Sequence, residues 1–81
     1  RYEGNWLNNN RSGYGTFYLA DGDRYKGDYL NNKRNGYGIY YWASGSRYEG
    51  NWLNNNRNGY GTFTSSSGNT ERQYWNNGTK Q

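Results

Sequence analysis

The sequence contains no cysteine and no histidine. Without cysteine there is no disulfide and no thiolate metal site, and the redox compartment stays open. Without histidine the usual general base and the commonest metal ligand are both missing. Valine and methionine are absent as well, so Leu7, Leu19, Leu30, Leu53 and Ile39 are nearly the whole aliphatic supply. No apolar run is long enough to span a bilayer, and no signal-peptide pattern is present. Apolar residues nowhere recur at helical spacing, and 13 Gly in 81 residues work against a stable helix. The chain also lacks an initiator Met and starts on the first residue of a repeated unit, so a segment of a longer protein is the expectation.

What fills the gap is aromatic: 11 Tyr, 4 Trp and 2 Phe. Each buries a large area while its hydroxyl or indole N–H still reaches a polar partner. A mean hydropathy of -1.56 resembles that of a disordered chain, but disordered chains are poor in aromatics. A small folded domain, with a core of rings, is therefore expected. The net charge of +4 favours acidic partners or anionic surfaces without naming one.

The aromatics and glycines are periodic. RYEGNWLNNNRSGYGTF at residues 1–17 returns as RYKGDYLNNKRNGYGIY at 24–40 and as RYEGNWLNNNRNGYGTF at 47–63, a period of 23 residues. Such a period marks stacked units that complete one another's hydrophobic surface. We expect one repeat domain, divided as 1–23, 24–46 and 47–69, with 70–81 a degenerate half-repeat or cap. Trp75 stays in phase with Trp6 and Trp52 there, while Glu71 and Gln73 replace the expected Tyr and Gly.

Each unit reads as a β-hairpin. Residues 2–7 and 13–19 alternate in type, and Asn8-Asn9 between them tolerates the positive φ of a tight I′ turn. Asp21-Gly22, Ser44-Gly45 and Ser67-Gly68 turn into the next unit. With that loop Leu7 pairs with Asn10, Trp6 with Arg11, Gly4 with Gly13 and Tyr2 with Gly15. Alternation then places Tyr2, Gly4, Trp6, Arg11, Gly13, Gly15 and Phe17 on one face. Glu3, Asn5, Leu7, Ser12, Tyr14, Thr16 and Tyr18 fall on the other. The Gly/aromatic face is expected to be packed and concave, because a Gly beside a Tyr lets the ring lie across the backbone.

The pattern Y-x-G-x-W/Y followed by G-x-G, carried by Tyr2, Gly4, Trp6, Gly13 and Gly15 and their two in-register copies, resembles the MORN repeat (membrane occupation and recognition nexus). The resemblance covers residues 1–69 fully and 70–81 weakly. One departure stands out: the family usually has Gly in the hairpin turn, where this chain has Asn9, Asn32 and Asn55. The resemblance implies an all-β fold, an elongated single-layer antiparallel sheet of tandem hairpins forming an open, solenoid-like array with a long groove. It also implies a non-catalytic role without cofactor, in an intracellular setting where membrane association is an option. In proteins with such repeats the units bind partners, dimerise, or are proposed to touch anionic lipids.

Candidate chemistry is sparse. The acids are Glu3, Asp21, Asp23, Asp28, Glu49 and Glu71. Glu3 and Glu49 are repeat equivalents, whereas a general acid/base pair needs unlike environments to separate two pKa values. We expect no catalytic residue and no metal site. Arg11, Arg34 and Arg57 recur in register, as do Arg1, Arg24 and Arg47, with equivalent positions roughly 10 Å apart if each unit advances two strands. Two readings of Arg11, Arg34 and Arg57 are open. They contact anions such as lipid headgroups or an acidic protein segment, or they stack within their own hairpins on Trp6, Tyr29 and Trp52 as structural cation–π pairs. The packing reading is favoured for residues at paired cross-strand positions. Nucleic acid is disfavoured, since Glu3 and Glu49 interrupt the positive field.

The expected groove residues for a protein partner are Tyr2, Trp6, Tyr25, Tyr29, Tyr48 and Trp52. A second row, Tyr14, Tyr37 and Tyr60 with Tyr18, Tyr41, Leu7, Leu30 and Leu53, is expected to stiffen the opposite face and leave part of it exposed. Unpaired sheet edges make a homo-oligomer a further expected partner state. Bacterial cell-wall-binding repeats offer a carbohydrate-binding alternative, against which the 23-residue period and the repeated G-Y-G argue.

Overall fold

The computed structural model describes all 81 residues and contains strands and turns without a helix. The strands are β1 (Tyr2–Leu7), β2 (Asn10–Tyr18), β3 (Arg24–Leu30), β4 (Lys33–Tyr41), β5 (Arg47–Leu53), β6 (Asn56–Thr64), β7 (Thr70–Asn76) and β8 (Thr79–Lys80). They pair in chain order as one open antiparallel sheet. Its dimensions, 39 × 25 × 16 Å, are those of an elongated layer. No helix is long and apolar enough to cross a membrane.

Each hairpin closes as its asparagines dictate. Asn8 and Asn9 adopt φ of 51° and 67°, and Asn31, Asn32, Asn54 and Asn55 repeat the geometry. Positive φ at both central residues is the requirement of a I′ turn, whose twist matches that of the flanking strands. Leu7 pairs with Asn10 and Trp6 with Arg11, as the loop assignment requires.

Beyond that point the register differs from the expected one. Gly4 pairs with Gly15, not Gly13, and Tyr2 with Phe17, not Gly15. A bulge between Gly4 and Trp6 takes up the difference, and β3–β4 and β5–β6 repeat it between Gly27 and Tyr29 and between Gly50 and Trp52. The bulged strand turns left-handed at the first glycine of G-Y-G: φ is 89° at Gly13, 107° at Gly36 and 91° at Gly59. A bulge commonly places Gly in this region, because side chains are strained there. The displacement is two residues, so the assignment of side chains to faces survives it.

The second glycine of G-Y-G has a different cause. A Cβ on Gly15, Gly38 or Gly61 would collide with the ring of Tyr2, Tyr25 or Tyr48 respectively. Each ring leans diagonally across its glycine pair, and Tyr2 and Tyr25 hydrogen-bond the Asn5 and Asp28 carbonyls at 3.0 and 3.1 Å. A single layer thereby acquires a core. Tyr25, Tyr29, Tyr48, Trp52 and Trp75 are buried. They form a chain of near-perpendicular contacts: Tyr2 to Tyr29 at 5.3 Å, Tyr29 to Tyr25 at 5.3 Å, Tyr25 to Trp52 at 5.5 Å, Trp52 to Tyr48 at 5.9 Å and Tyr48 to Trp75 at 6.3 Å. Edge-to-face pairs of this kind contribute about 0.5–1.5 kcal/mol each beyond the area they bury.

Candidate functional site

Above this column of rings lies a row of guanidinium groups. Arg11 sits over Phe17 at 4.8 Å and Tyr29 at 5.2 Å; Arg34 over Trp52 at 4.8 Å and Tyr40 at 5.5 Å; Arg57 over Trp75 at 3.6 Å and Tyr48 at 5.5 Å. The expected stacking on aromatic rings is present, but with other partners. Each arginine lies between a ring of its own unit (Phe17, Tyr40 or Tyr48) and the Tyr or Trp of the following unit, not over Trp6, Tyr29 or Trp52 of its own hairpin. At Arg11 and Arg34 the next turn also holds the guanidinium. Arg11 donates its backbone N–H to Asn32 Oδ1 at 2.7 Å and a guanidinium N–H to the Asn32 carbonyl at 3.0 Å. Arg34 makes the same two bonds to Asn55, at 2.9 and 3.1 Å. Arg57 meets Gly78, which has no side chain to offer and only returns its N–H to the Arg57 carbonyl at 2.9 Å.

The row opens into two adjoining clefts of about 230 Å³ each. Arg11, Phe17, Tyr29, Asn32, Arg34 and Tyr40 line the first, and Arg34, Tyr40, Trp42, Trp52, Asn55 and Arg57 line the second. Arg34, Tyr40 and Asn55 belong to both, so the clefts form one groove running across the strands. No acidic side chain lies in either wall. The chain's two ion pairs, Arg1–Glu3 and Glu71–Lys80, lie elsewhere.

Burial acts on the titrating groups of this face. It raises the Tyr25 and Tyr29 hydroxyls above their ordinary range, with Arg34 opposing the rise at both. Tyr40 is pushed up to about 12, first by burial and then by its hydrogen bond to Asp23 Oδ2 at 2.9 Å. Arg57 is lowered by burial, and the neighbouring Arg34 charge lowers it further.

The six aromatic residues expected in the groove take unequal positions. Tyr25, at 1% exposure, lies in its floor and offers almost no contact area, with Tyr29 and Trp52 nearly as deep, and Tyr48, at 0%, lines neither cleft. Tyr2 is part-buried, and Trp6 stands 57% exposed on β1 at the sheet edge. The accessible walls are instead Phe17, Tyr40, Trp42 and the arginines. Trp42 was beyond reach of the repeat pattern, because its counterparts are Leu19 and Ser65. For Tyr40 a signal existed, since it follows the second glycine of G-Y-G by two residues, as Phe17 and Phe63 do.

On the opposite face Tyr14, Tyr37 and Tyr60 are exposed, as are Leu7, Leu30 and Leu53. Stiffening contacts accompany them: Tyr60 packs on Tyr74 at 4.7 Å, and Tyr37 donates to Glu49 Oε2 at 3.0 Å. Arg1 and Arg24 of the second arginine row lie on this side, stacked on Tyr18 and Tyr41 at 4.2 and 4.1 Å. No group of three or more acidic side chains is placed to hold a metal ion.

The family model for the MORN repeat matches three consecutive segments of the chain, residues 2–24, 25–47 and 48–70. No individual curated protein matches it.

Proposed function

The chain belongs to the MORN-repeat family, and on that premise we propose that it is a non-catalytic scaffold whose groove face takes up a protein partner. The observation that carries this reading is the pair of joined clefts, with an aromatic floor, arginine walls and no internal counter-charge. Concave sites with apolar lining and a few convergent polar groups are the usual places of recognition. The carboxylates fit a structural role: Glu3, Asp23, Glu49 and Glu71 each accept a hydrogen bond from a nearby side chain. The test compares a groove variant, Arg34→Glu with Tyr40→Ala, against an outer-face variant, Tyr14→Ala with Tyr37→Ala. Partner retention should fall in the first and persist in the second; the reverse pattern would move the surface to the other face.

A second reading is peripheral binding to anionic phospholipid membranes. It is favoured by basic residues on both faces, Arg11, Arg34 and Arg57 on one and Arg1 and Arg24 on the other. Such binding weakens steeply with salt. Co-sedimentation with phosphoinositide-containing vesicles, lost at high salt and lost in the Arg11/Arg34/Arg57→Gln variant, is its expected signature. Unchanged sedimentation of that variant would rule it out.

The scaffold reading includes self-association through sheet edges. It is supported by β1, which pairs on one side alone and leaves Trp6 exposed. Light scattering over a concentration series should show mass rising with concentration, and a constant monomer mass would sink this part.

A further inference from the structure

Building on the groove reading, we propose that the partner segment is an acidic chain in the polyproline II conformation. It would present a carboxylate at every third residue, one to each of Arg11, Arg34 and Arg57.

Unsatisfied donors point to the charge. A guanidinium has five N–H donors. Arg11 and Arg34 each direct two at the next turn, through Nη2 to the Asn carbonyl and Nε to Asn Oδ1 at 3.4 Å. Arg57, opposite Gly78, lacks that partner. None of the three meets a carboxylate, because the ion pairs are Arg1–Glu3 and Glu71–Lys80. All three are part-buried, and the Arg34 charge acts unfavourably on Arg57. Partly desolvated cations in a row, unpaired and mutually repelling, are relieved by anions placed at the same interval.

Spacing points to the backbone. Each repeat advances two strands, so equivalent residues recur at roughly 9.5–10 Å. A polyproline II helix rises about 3.1 Å per residue with three residues per turn, which puts i, i+3 and i+6 on one side at about 9.3 Å intervals. An extended strand fails, since i and i+3 point to opposite sides. An α-helix matches only at i, i+7 and i+14, roughly 10.5 Å apart, and its diameter of about 10–12 Å is broad for this groove. Between the arginines lie Phe17, Tyr40 and Trp42, the kind of aromatic lining on which polyproline II segments dock.

Three synthetic peptides separate phase from charge: Glu-Pro-Pro repeated three times, a block of three Glu followed by six Pro, and Gln-Pro-Pro repeated three times. A fourth, helical, peptide carries Glu once per heptad. Binding is read from tryptophan fluorescence in a Trp6→Phe background, where Trp42, Trp52 and Trp75 remain, with isothermal titration for affinity. The in-phase peptide should bind about 10-fold or more tighter than the block of equal charge, because out of phase one or more charge-assisted bonds cannot form. The neutral peptide should bind more weakly than either. Arg34→Lys, with its fold confirmed by circular dichroism, should lose about 10-fold for the in-phase peptide, since lysine keeps the charge but not the fork. Equal affinity for in-phase and block peptides, or tighter binding of the helical one, overturns the proposal while leaving the groove reading standing. Silence of the groove tryptophans towards every peptide, with vesicle binding intact, overturns both.

Discussion

Arg34 and Asn55 are joined four times: Arg34 donates its backbone N–H to Asn55 Oδ1 at 2.9 Å, Nε to the same oxygen at 3.4 Å and Nη2 to the Asn55 carbonyl at 3.1 Å, and Asn55 returns its N–H to the Arg34 carbonyl at 3.0 Å. Arg11 and Asn32 repeat the arrangement. Each hairpin turn is thereby fastened to the hairpin before it, across a part of the sheet where the regular ladder has ended. This accounts for asparagine in place of glycine at positions 32 and 55, while Asn9 makes no such bond. Both residue types accept the left-handed conformation, but only asparagine brings an amide oxygen to the arginine N–H.

Removing that amide should therefore cost stability at two turns and not at the third. Asn32→Gly or Asn55→Gly keeps the turn geometry and removes the Oδ1 acceptor, at a cost of about 1 kcal/mol. In a domain of this size that corresponds to a drop in Tm of roughly 4–8 °C. Asn9 has φ of 67°, but its side chain accepts no arginine N–H as those of Asn32 and Asn55 do, so Asn9→Gly should lie within about 0.5 kcal/mol of the parent. Equal losses at all three in urea melts would show that the fastening contributes nothing.

The same asymmetry separates two equivalent tryptophans. Trp52 is 6% exposed, packed on Tyr25 and Tyr48 and covered by Arg34, whereas Trp6 is 57% exposed. Trp52→Ala should cost about 3–5 kcal/mol, as truncation of a buried aromatic does. That is enough to unfold much of a domain this small. Trp6→Ala should cost about 1 kcal/mol, chiefly through its edge-to-face pairing with the Tyr2 ring at 5.1 Å. Thermal melts followed by circular dichroism decide it, and a similar destabilisation for both would contradict the burial order.

The assignment of faces was legible in the sequence although the register was not, and the reason is parity. A bulge that shifts pairing by two residues leaves every side chain on its own side. The bulge itself was hidden because G-Y-G contains two glycines with unlike causes, a left-handed backbone at Gly13 and ring clearance at Gly15, and both are written with one letter. The arginine partners were hidden in part, because each guanidinium bridges a ring of its own unit and a ring of the next, and only the first is near along the chain. One residue carried the missing signal. Trp75 keeps its phase while the Tyr and Gly that should precede it are gone, and it is the ring on which Arg57 lies at 3.6 Å.

Glycines of different cause should respond differently to alanine. At Gly38 the added Cβ strikes the ring of Tyr25, which is 1% exposed and held by its bond to the Asp28 carbonyl. The ring cannot swing away, so Gly38→Ala should cost about 1–3 kcal/mol through overpacking. At Gly68 nothing lies within 4 Å, and only a φ of 95° resists. Gly68→Ala should cost about 1 kcal/mol from backbone strain alone. Denaturant midpoints should fall further for Gly38→Ala, and the opposite order would mean that the Tyr25 ring is not clamped.

Stability should respond to alkali and not to pH near neutrality. The chain has no histidine, and the raised groups on the groove face are tyrosines. Tyr40 is the quantifiable case: burial and then the Asp23 hydrogen bond carry it from an ordinary value of 10.0 to about 12. The folded state thus holds this proton more tightly than the unfolded chain. Its contribution is fully present below about pH 10 and is lost progressively as pH rises towards about 12. Tyr2, Tyr25, Tyr29 and Tyr48 are also raised by burial and act in the same direction. Asp23→Asn removes the carboxylate charge facing Tyr40 while burial remains, so the variant should start less stable and lose less between those two pH values. Urea unfolding at intervals across that window, with tyrosinate absorbance recorded alongside, measures both slopes. Stability that stays level to about pH 12, or a variant slope as steep as the parent's, would show that the Tyr40–Asp23 hydrogen bond does not govern the alkaline limb.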